Sequence, residues 1–175
     1  MKLIRQLSEF PDSLRGCAVT IGNFDGVHRG HGVLIDQLKS FASELKGAAV
    51  VFTFDPHPVR ILRPEDTPPP LTWTNRKADL LAELGVDAVV AYPTNKELLA
   101  LSYQDFYQQI VIDALGAKAM VEGPNFFFGR GREGNTERLQ ELCAAADVQL
   151  KIVVPRKDAG ELISSSRVRL SLIHI

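Results

Sequence analysis

The sequence predicts an α/β fold with a doubly wound, five-stranded parallel sheet covered by helices on both faces. Three observations carry the prediction. Nearly continuous apolar runs of strand length recur along the 175 residues, they alternate with amphipathic segments of helical period, and a glycine often closes the helical segment before the next run. A strand that is apolar at every position is buried on both faces, which parallel sheets require. Its βαβ crossovers should be right-handed.

The elements follow in order. The first strand spans 17–22, and a helix from about 31 to 46 places Leu34, Leu38, Phe41 and Leu45 on one face, with Gly47 suited to its C′ position. "AAVVFTF" (48–54) is the second strand, and a helix over 74–84 shows Leu80, Leu81 and Leu84 before Gly85. "DAVVAY" (87–92) is the third. Ser102 with Asp105 three residues later marks a helix start, Phe106, Ile110 and Ala114 form its inner stripe, and Gly116 ends it before the fourth strand, "KAMVE". The last unit runs from Asn135 through "ERLQELCAAAD" to the fifth strand, "VQLKIVV". Between them, "RPEDTPPPLT" carries four prolines and no hydrophobic period, and reads as a stiff surface loop.

Composition bounds the function. A chain 45% hydrophobic and 23% charged is long enough to bury a core as one domain. Its 20 basic and 21 acidic residues are well mixed, so no basic stripe argues for nucleic acid. Cys17 and Cys143 form no close-spaced pair and read as core thiols of a reducing compartment. No segment reaches a membrane span and the N-terminus has no secretory pattern, which leads us to expect a cytoplasmic protein.

In open parallel sheets ligands bind beyond the carboxyl ends of the strands. After the predicted strands come "GNFDGVHRGH", "DPHP", "PTN", "GPNFFFGRGREGN" and "PRKD". Three of the four histidines, the Phe126-Phe127-Phe128 cluster and several arginines thus converge on one edge. Gly22, Gly26, Gly30 and Gly32 between a strand and a helix suit a phosphate, since glycines admit close backbone approach and the helix N-terminus is partly positive. His28 and His31, three apart, can donate to the same anion. Neither GxGxxG nor GxxxxGK[ST] is present. Zinc would need three or four donors at other spacings.

The four segments "GNFDGVHRGH", "FTFDPHP", "GPNFFFGRGREGN" and "ISSSRVR", in this order, resemble the FMN adenylyltransferase (FAD synthetase) module of prokaryotic bifunctional riboflavin kinase/FAD synthetases, over about Cys17 to Arg169. The resemblance implies a Rossmann-like nucleotidyltransferase fold that uses ATP and Mg²⁺ and makes FAD and pyrophosphate from FMN. It implies His28 and His31 on the ATP phosphates, and Gly22, Asn23, Phe24, Asp25, Gly26 and Gly30 in the nucleotide-binding loop. Ser164, Ser165, Ser166 and Arg169 match a second triphosphate clamp, with Ser166 where the family has threonine. Asn125, Phe126 and Phe128 match a flavin-side segment in which Asn125 replaces the commoner Asp. Asp55 and His57 are placed on the same side. By residue type alone, His57 either faces a ligand or caps a turn, the serines either hold an anion or cap a helix, and Phe127 belongs to the core. Arg130 and Arg132 are unassigned. Two alternatives stay open: another HxGH nucleotidyltransferase, acting on pantetheine phosphate, nicotinamide mononucleotide or a polyol phosphate, or a nucleotide- or flavin-binding fragment without turnover. The chain stops six residues after Arg169, where the family continues into a riboflavin kinase module, so riboflavin phosphorylation is not expected of it.

Overall fold

Runs such as Ala49–Asp55 and Ala88–Pro93, whose first residues are all buried, form strands because β-branched and small side chains pack on a pleated surface with both faces covered. The structure, a computed structural model, describes residues 1–154, 157–158 and 161–173. Its main sheet joins β1 (Lys2–Ile4), β2 (Ala18–Ile21), β3 (Ala49–Asp55), β4 (Ala88–Pro93), β5 (Ala119–Glu122) and β6 (Gln149–Ile152). The order is β1-β4-β3-β2-β5-β6 and every pairing is parallel. The sheet therefore has six strands where the sequence predicts five. The additional one, β1, has three residues, and so short a run carries no readable period. Lys157–Asp158 (β7) and Glu161–Leu162 (β8) pair antiparallel outside this sheet.

The chain begins at one edge with β1, crosses to the sheet centre at β2, steps outward through β3 and β4 to meet β1, and returns to the other side of β2 with β5. Strand order reverses between β2 and β5, and crevices at such a point bind ligands. One face is covered by α1 (Arg29–Glu44), through Ile35, Leu38 and Ala42, and by α3 (Thr74–Glu83), through Ala78 and Leu81. The predicted stripe on α1 shifts accordingly: Leu38 is central, while Leu34, Phe41 and Leu45 flank it half-buried. The opposite face is covered by α5 (Tyr103–Phe106) with the π-helical turns Tyr107–Ala114 that continue it, and by α6 (Thr136–Ala145). The wider turns bring Tyr107 and Val111 inward beside Phe106 and Ile110, so Ala114 is only half-buried. Two short helices complete the description: α2 (Pro58–Leu62) and α4 (Lys96–Ala100). The last helix, α7, is Ser165–Ile173.

Cys17 and Cys143 are buried free thiols, as predicted, and burial pushes the Cys17 thiol up to about 12. Among the described residues no helix is long and apolar enough to cross a membrane.

Candidate active site

Past the end of β2, Gly22 N donates to Phe52 O (3.0 Å), and the chain then turns through Phe24, Gly26 and Val27 at φ +48°, +79° and +37°. A positive φ is costly for a side-chain-bearing residue, most of all a β-branched one, and such strain persists only where surrounding contacts fix it. At Gly26 a Cβ would also lie 2.8 Å from Leu71 Cδ1, so glycine is required twice over.

What fixes the turn is Asp25, only 7% exposed. Its carboxylate accepts from Leu71 N (3.0 Å), Thr72 N (3.1 Å) and the Arg169 guanidinium. Arg169 Nε donates to Pro69 O (3.1 Å), Gly26 N donates to Thr72 Oγ1 (3.1 Å), and Ser165 Oγ donates to Asp25 O (2.8 Å). One acidic side chain thus ties the turn, the proline-rich loop and α7 together. Sequence reasoning reads Arg169 as a triphosphate clamp, whereas in the structure its guanidinium is engaged by Asp25. Ser164 Oγ accepts from Arg167 N (3.3 Å), a capping bond, and Ser166 is exposed.

The histidine pair stands where α1 begins. His28 is the N-cap residue and His31 lies in the first turn, two residues further into the helix than its predicted start allows. The imidazoles stack at 3.7 Å between centroids and 13° between planes, with the buried Phe24 ring 4.9 Å from that of His31. Phe24 therefore backs His31. A Cβ on Gly30 would lie 3.1 Å from His28 Nδ1 and 3.3 Å from Ile163 O, so the glycine between the histidines admits both an imidazole and the approach to α7. Burial pushes His31 down to about 3, helped by the charges of His28 and Lys77. It also lowers His28 against the opposing pull of Asp25. Both shifts favour the neutral imidazole, and both Nδ1 atoms are buried without a hydrogen-bond partner among the described residues. Buried polar atoms are nearly always hydrogen-bonded, so two orphans on adjacent rings at a helix N-terminus suit a polar ligand.

Beside the pair, a cleft of about 190 Å³ opens over the end of β3. Its lining includes Asn23, Asp25, Asp55, His57, Trp73 and Lys77. Asn23 Oδ1 is buried and has no hydrogen-bond partner among the described residues. Asp55 accepts from Thr74 Oγ1 (2.5 Å), and Arg5 Nη1 lies 3.6 Å from it. His57 Nδ1 accepts from Val59 N (3.1 Å) and so caps α2, and the same residue lines the cleft. Trp73 is 73% exposed.

Asn125, Phe126 and Phe128 are not part of that cleft lining. Asn125 is exposed, and Phe126 stacks on Phe128 at 5.2 Å. The assignments of Phe127 and Phe128 are reversed relative to prediction. Phe128 is core, packed against Phe106 and Tyr103, because the loop closes on itself through the Phe128–Gly134 bridge and turns this ring inward. Phe127 points outward beneath the Arg132 guanidinium, 4.4 Å from its ring centroid. "PTN" supplies Thr94, whose Oγ1 donates to Pro56 O (2.6 Å), and Asn95, which caps α4. Pro155 and Arg156 of "PRKD" lie outside the described residues.

Three residues escaped the sequence reading: Trp73, Lys77 and Glu122. The last two carry the same signal, a charged residue on an otherwise buried stripe. Glu122, 2% exposed, accepts from Ile21 N (2.7 Å) just where the β2–β5 register has ended at Val19–Met120. Burial raises its pKa well above the ordinary carboxylate value. Glu122→Ala strands the Ile21 N–H and leaves a void, and is expected to cost about 2–4 kcal/mol in chemical denaturation. A carboxyl with a raised folded pKa makes stability fall as pH rises above its unfolded value, because the folded state then holds the extra proton. Glu122→Gln keeps the acceptor, and denaturation across pH should find that slope removed.

Comparison with known proteins bears on this geometry. A family model described as FAD synthetase matches residues 10–167. Proteins named bifunctional riboflavin kinase/FMN adenylyltransferase from Pseudomonas fluorescens and from Escherichia coli (strain K12) are each 35% identical, over 98% of this chain and 55% of their own length. The chain therefore spans about half the length of the curated relatives it matches. Among solved structures, one described as a macrolide-efflux protein from Streptococcus pneumoniae superposes with a TM-score of 0.82 at 25% identity, covering 97% of this chain and 54% of that one. A pantothenate synthetase from Thermus thermophilus shares the fold, with a TM-score of 0.59 at 16% identity over 96% of this chain and 67% of that one.

Proposed function

Since the chain belongs to the FAD synthetase family, we propose that it transfers AMP from ATP to FMN, giving FAD and pyrophosphate. The observation that carries this reading is the stacked His28–His31 pair at the N-terminus of α1, with both Nδ1 atoms buried and unpartnered among the described residues.

The chemistry asks little of an acid or base. A phosphate monoester has its second pKa at about 6, so the attacking oxygen of FMN is already anionic near neutral pH. In-line positioning and charge stabilisation remain, and they dominate phosphoryl transfer in general. His28, His31 and the first turn of α1 supply donors to the triphosphate. Ser164, Ser165, Ser166 and Arg169 approach from α7, with Arg169 shared between Asp25 and the incoming phosphates. Asn23, Asp55, His57 and Trp73 border the flavin side, and Asn125 and Phe126 extend it, with Phe128 as the buried support of Phe126.

Bound together with ATP, Mg²⁺ would supply charge neutralisation to the triphosphate, which this chain would hold through His28, His31 and the first turn of α1. Such an ion keeps most of its waters and uses substrate phosphates rather than an all-protein cage. Two buried free thiols suit a reducing compartment, and the cytoplasm is the expected location. Incubation of the chain with FMN, ATP and Mg²⁺, with products separated by chromatography, tests the reading. FAD and pyrophosphate in equal amounts are expected, and nucleotide binding without FAD would overturn it.

A further inference from the structure

A lysine on the inner face of a helix is a burden unless something compensates its charge. Lys77 is 8% exposed, lies on the buried stripe of α3 with Ala78 and Leu81, and lines the cleft. Its Nζ has one hydrogen-bond partner, Thr53 Oγ1 at 3.3 Å, and no ion pair among the described residues. The two nearby carboxylates are committed elsewhere: Asp25 to Arg169 and two backbone N–H groups, Asp55 to Thr74 and Arg5. The ammonium thus faces the cleft with unused donors.

We propose that Lys77 Nζ receives the phosphate monoester of FMN and presents it to the α-phosphorus of ATP, a role that rests on the adenylyl-transfer reading above. A compact ammonium suits this task, because it binds phosphate as a point charge and leaves the remaining oxygens free to attack. One of them forms the new bond to the α-phosphorus while the bond to the bridging oxygen breaks. The electron pair leaves with pyrophosphate, and no proton moves. The location fits: neither His28 nor His31 lines the cleft, yet Lys77 is near enough to affect both His31 and His57 electrostatically. A lining residue of the cleft that is also close to His31 is placed where a phosphate of FMN and the triphosphate would meet. Burial lowers the Lys77 pKa against the opposing pull of Asp25 and Asp55, and a bound dianion would add to the forces that favour the ammonium.

Riboflavin lacks the phosphate, so it separates this contact from contacts to the ring. Binding of FMN and riboflavin to the full chain is followed by flavin fluorescence, and binding of ATP with Mg²⁺ by calorimetry, for wild type, Lys77→Met and Lys77→Arg. Methionine matches the length and removes a buried charge, a change that folds tolerate well. Lys77→Met is expected to weaken FMN roughly 10- to 100-fold, the size of a charge-assisted contact, while riboflavin and ATP stay within about twofold. Lys77→Arg should recover part of the loss, and remains informative if the methionine variant does not fold. An unchanged FMN-to-riboflavin ratio in either variant that folds overturns the proposal. A loss of ATP affinity in place of FMN affinity assigns the ammonium to the triphosphate and overturns it equally. Wild type that binds no FMN sinks the adenylyl-transfer reading along with it, a result distinct from the other two.

Discussion

Asp25→Ala should both destabilise the protein and abolish turnover. The carboxylate is the common acceptor for Leu71 N, Thr72 N and Arg169, and its removal leaves two amides without this acceptor and the guanidinium charge uncompensated, held only through Nε to Pro69 O, in a largely buried setting. Breaking a buried ion pair from one side costs about 3–5 kcal/mol, most of it from the stranded charge. The strained turn at Phe24–Val27 loses its anchor at the same time, and so does the contact that holds the proline-rich loop against α7. Denaturant unfolding should register a loss of at least about 3 kcal/mol. Asp25→Asn discriminates the parts: its amide still accepts from the backbone but cannot neutralise Arg169. It should be the milder variant in stability and nearly as poor in catalysis. Stability and turnover both near wild type in the alanine variant would show that the loop and α7 are held by other means.

The second large effect concerns the imidazoles. His31→Ala, and equally His28→Ala, is expected to lower kcat by about 10²–10³-fold, the usual consequence of removing a preorganised donor, while the dissociation constant of FMN changes little. Steady-state rates with FMN titrations separate the two quantities, and loss of FMN binding with kcat preserved would refute the assignment. The pH dependence follows from the direction of the shift. His31 has its folded pKa pushed down to about 3 from an ordinary 6.5, so the unfolded chain binds the extra proton between these values. Stability from this group is therefore complete above about pH 6.5 and is lost as pH falls toward 3. A bound triphosphate reverses the balance by favouring imidazolium, and so should narrow the window over which acid destabilises the protein. Thermal unfolding from pH 4 to 7 with and without ATP measures both expectations.

The alternation of apolar runs with helical periods determined the parallel α/β architecture, since each of the five predicted runs became a strand of the main sheet, although the edge strand β6 is not buried on both faces. The same reading pointed to one edge of the sheet for the candidate site, because residues following parallel strands fall on one edge whatever their order in the sheet. His28, Gly30 and His31 were legible as a local motif: a strand, a turn and a helix start within one stretch of chain fix their spacing. Contacts between distant segments were not legible. That Asp25 would bind Arg169, 144 positions away, depends on how the proline-rich loop and α7 fold back over the turn. Lys77 and Glu122 acquired their meaning only once packing had removed water from around them, and Phe127 exchanged roles with Phe128 because a loop closed on itself. Periodicity reports which face of an element is buried; it holds no information on which charged groups the burial brings together, and that is a property of the tertiary structure.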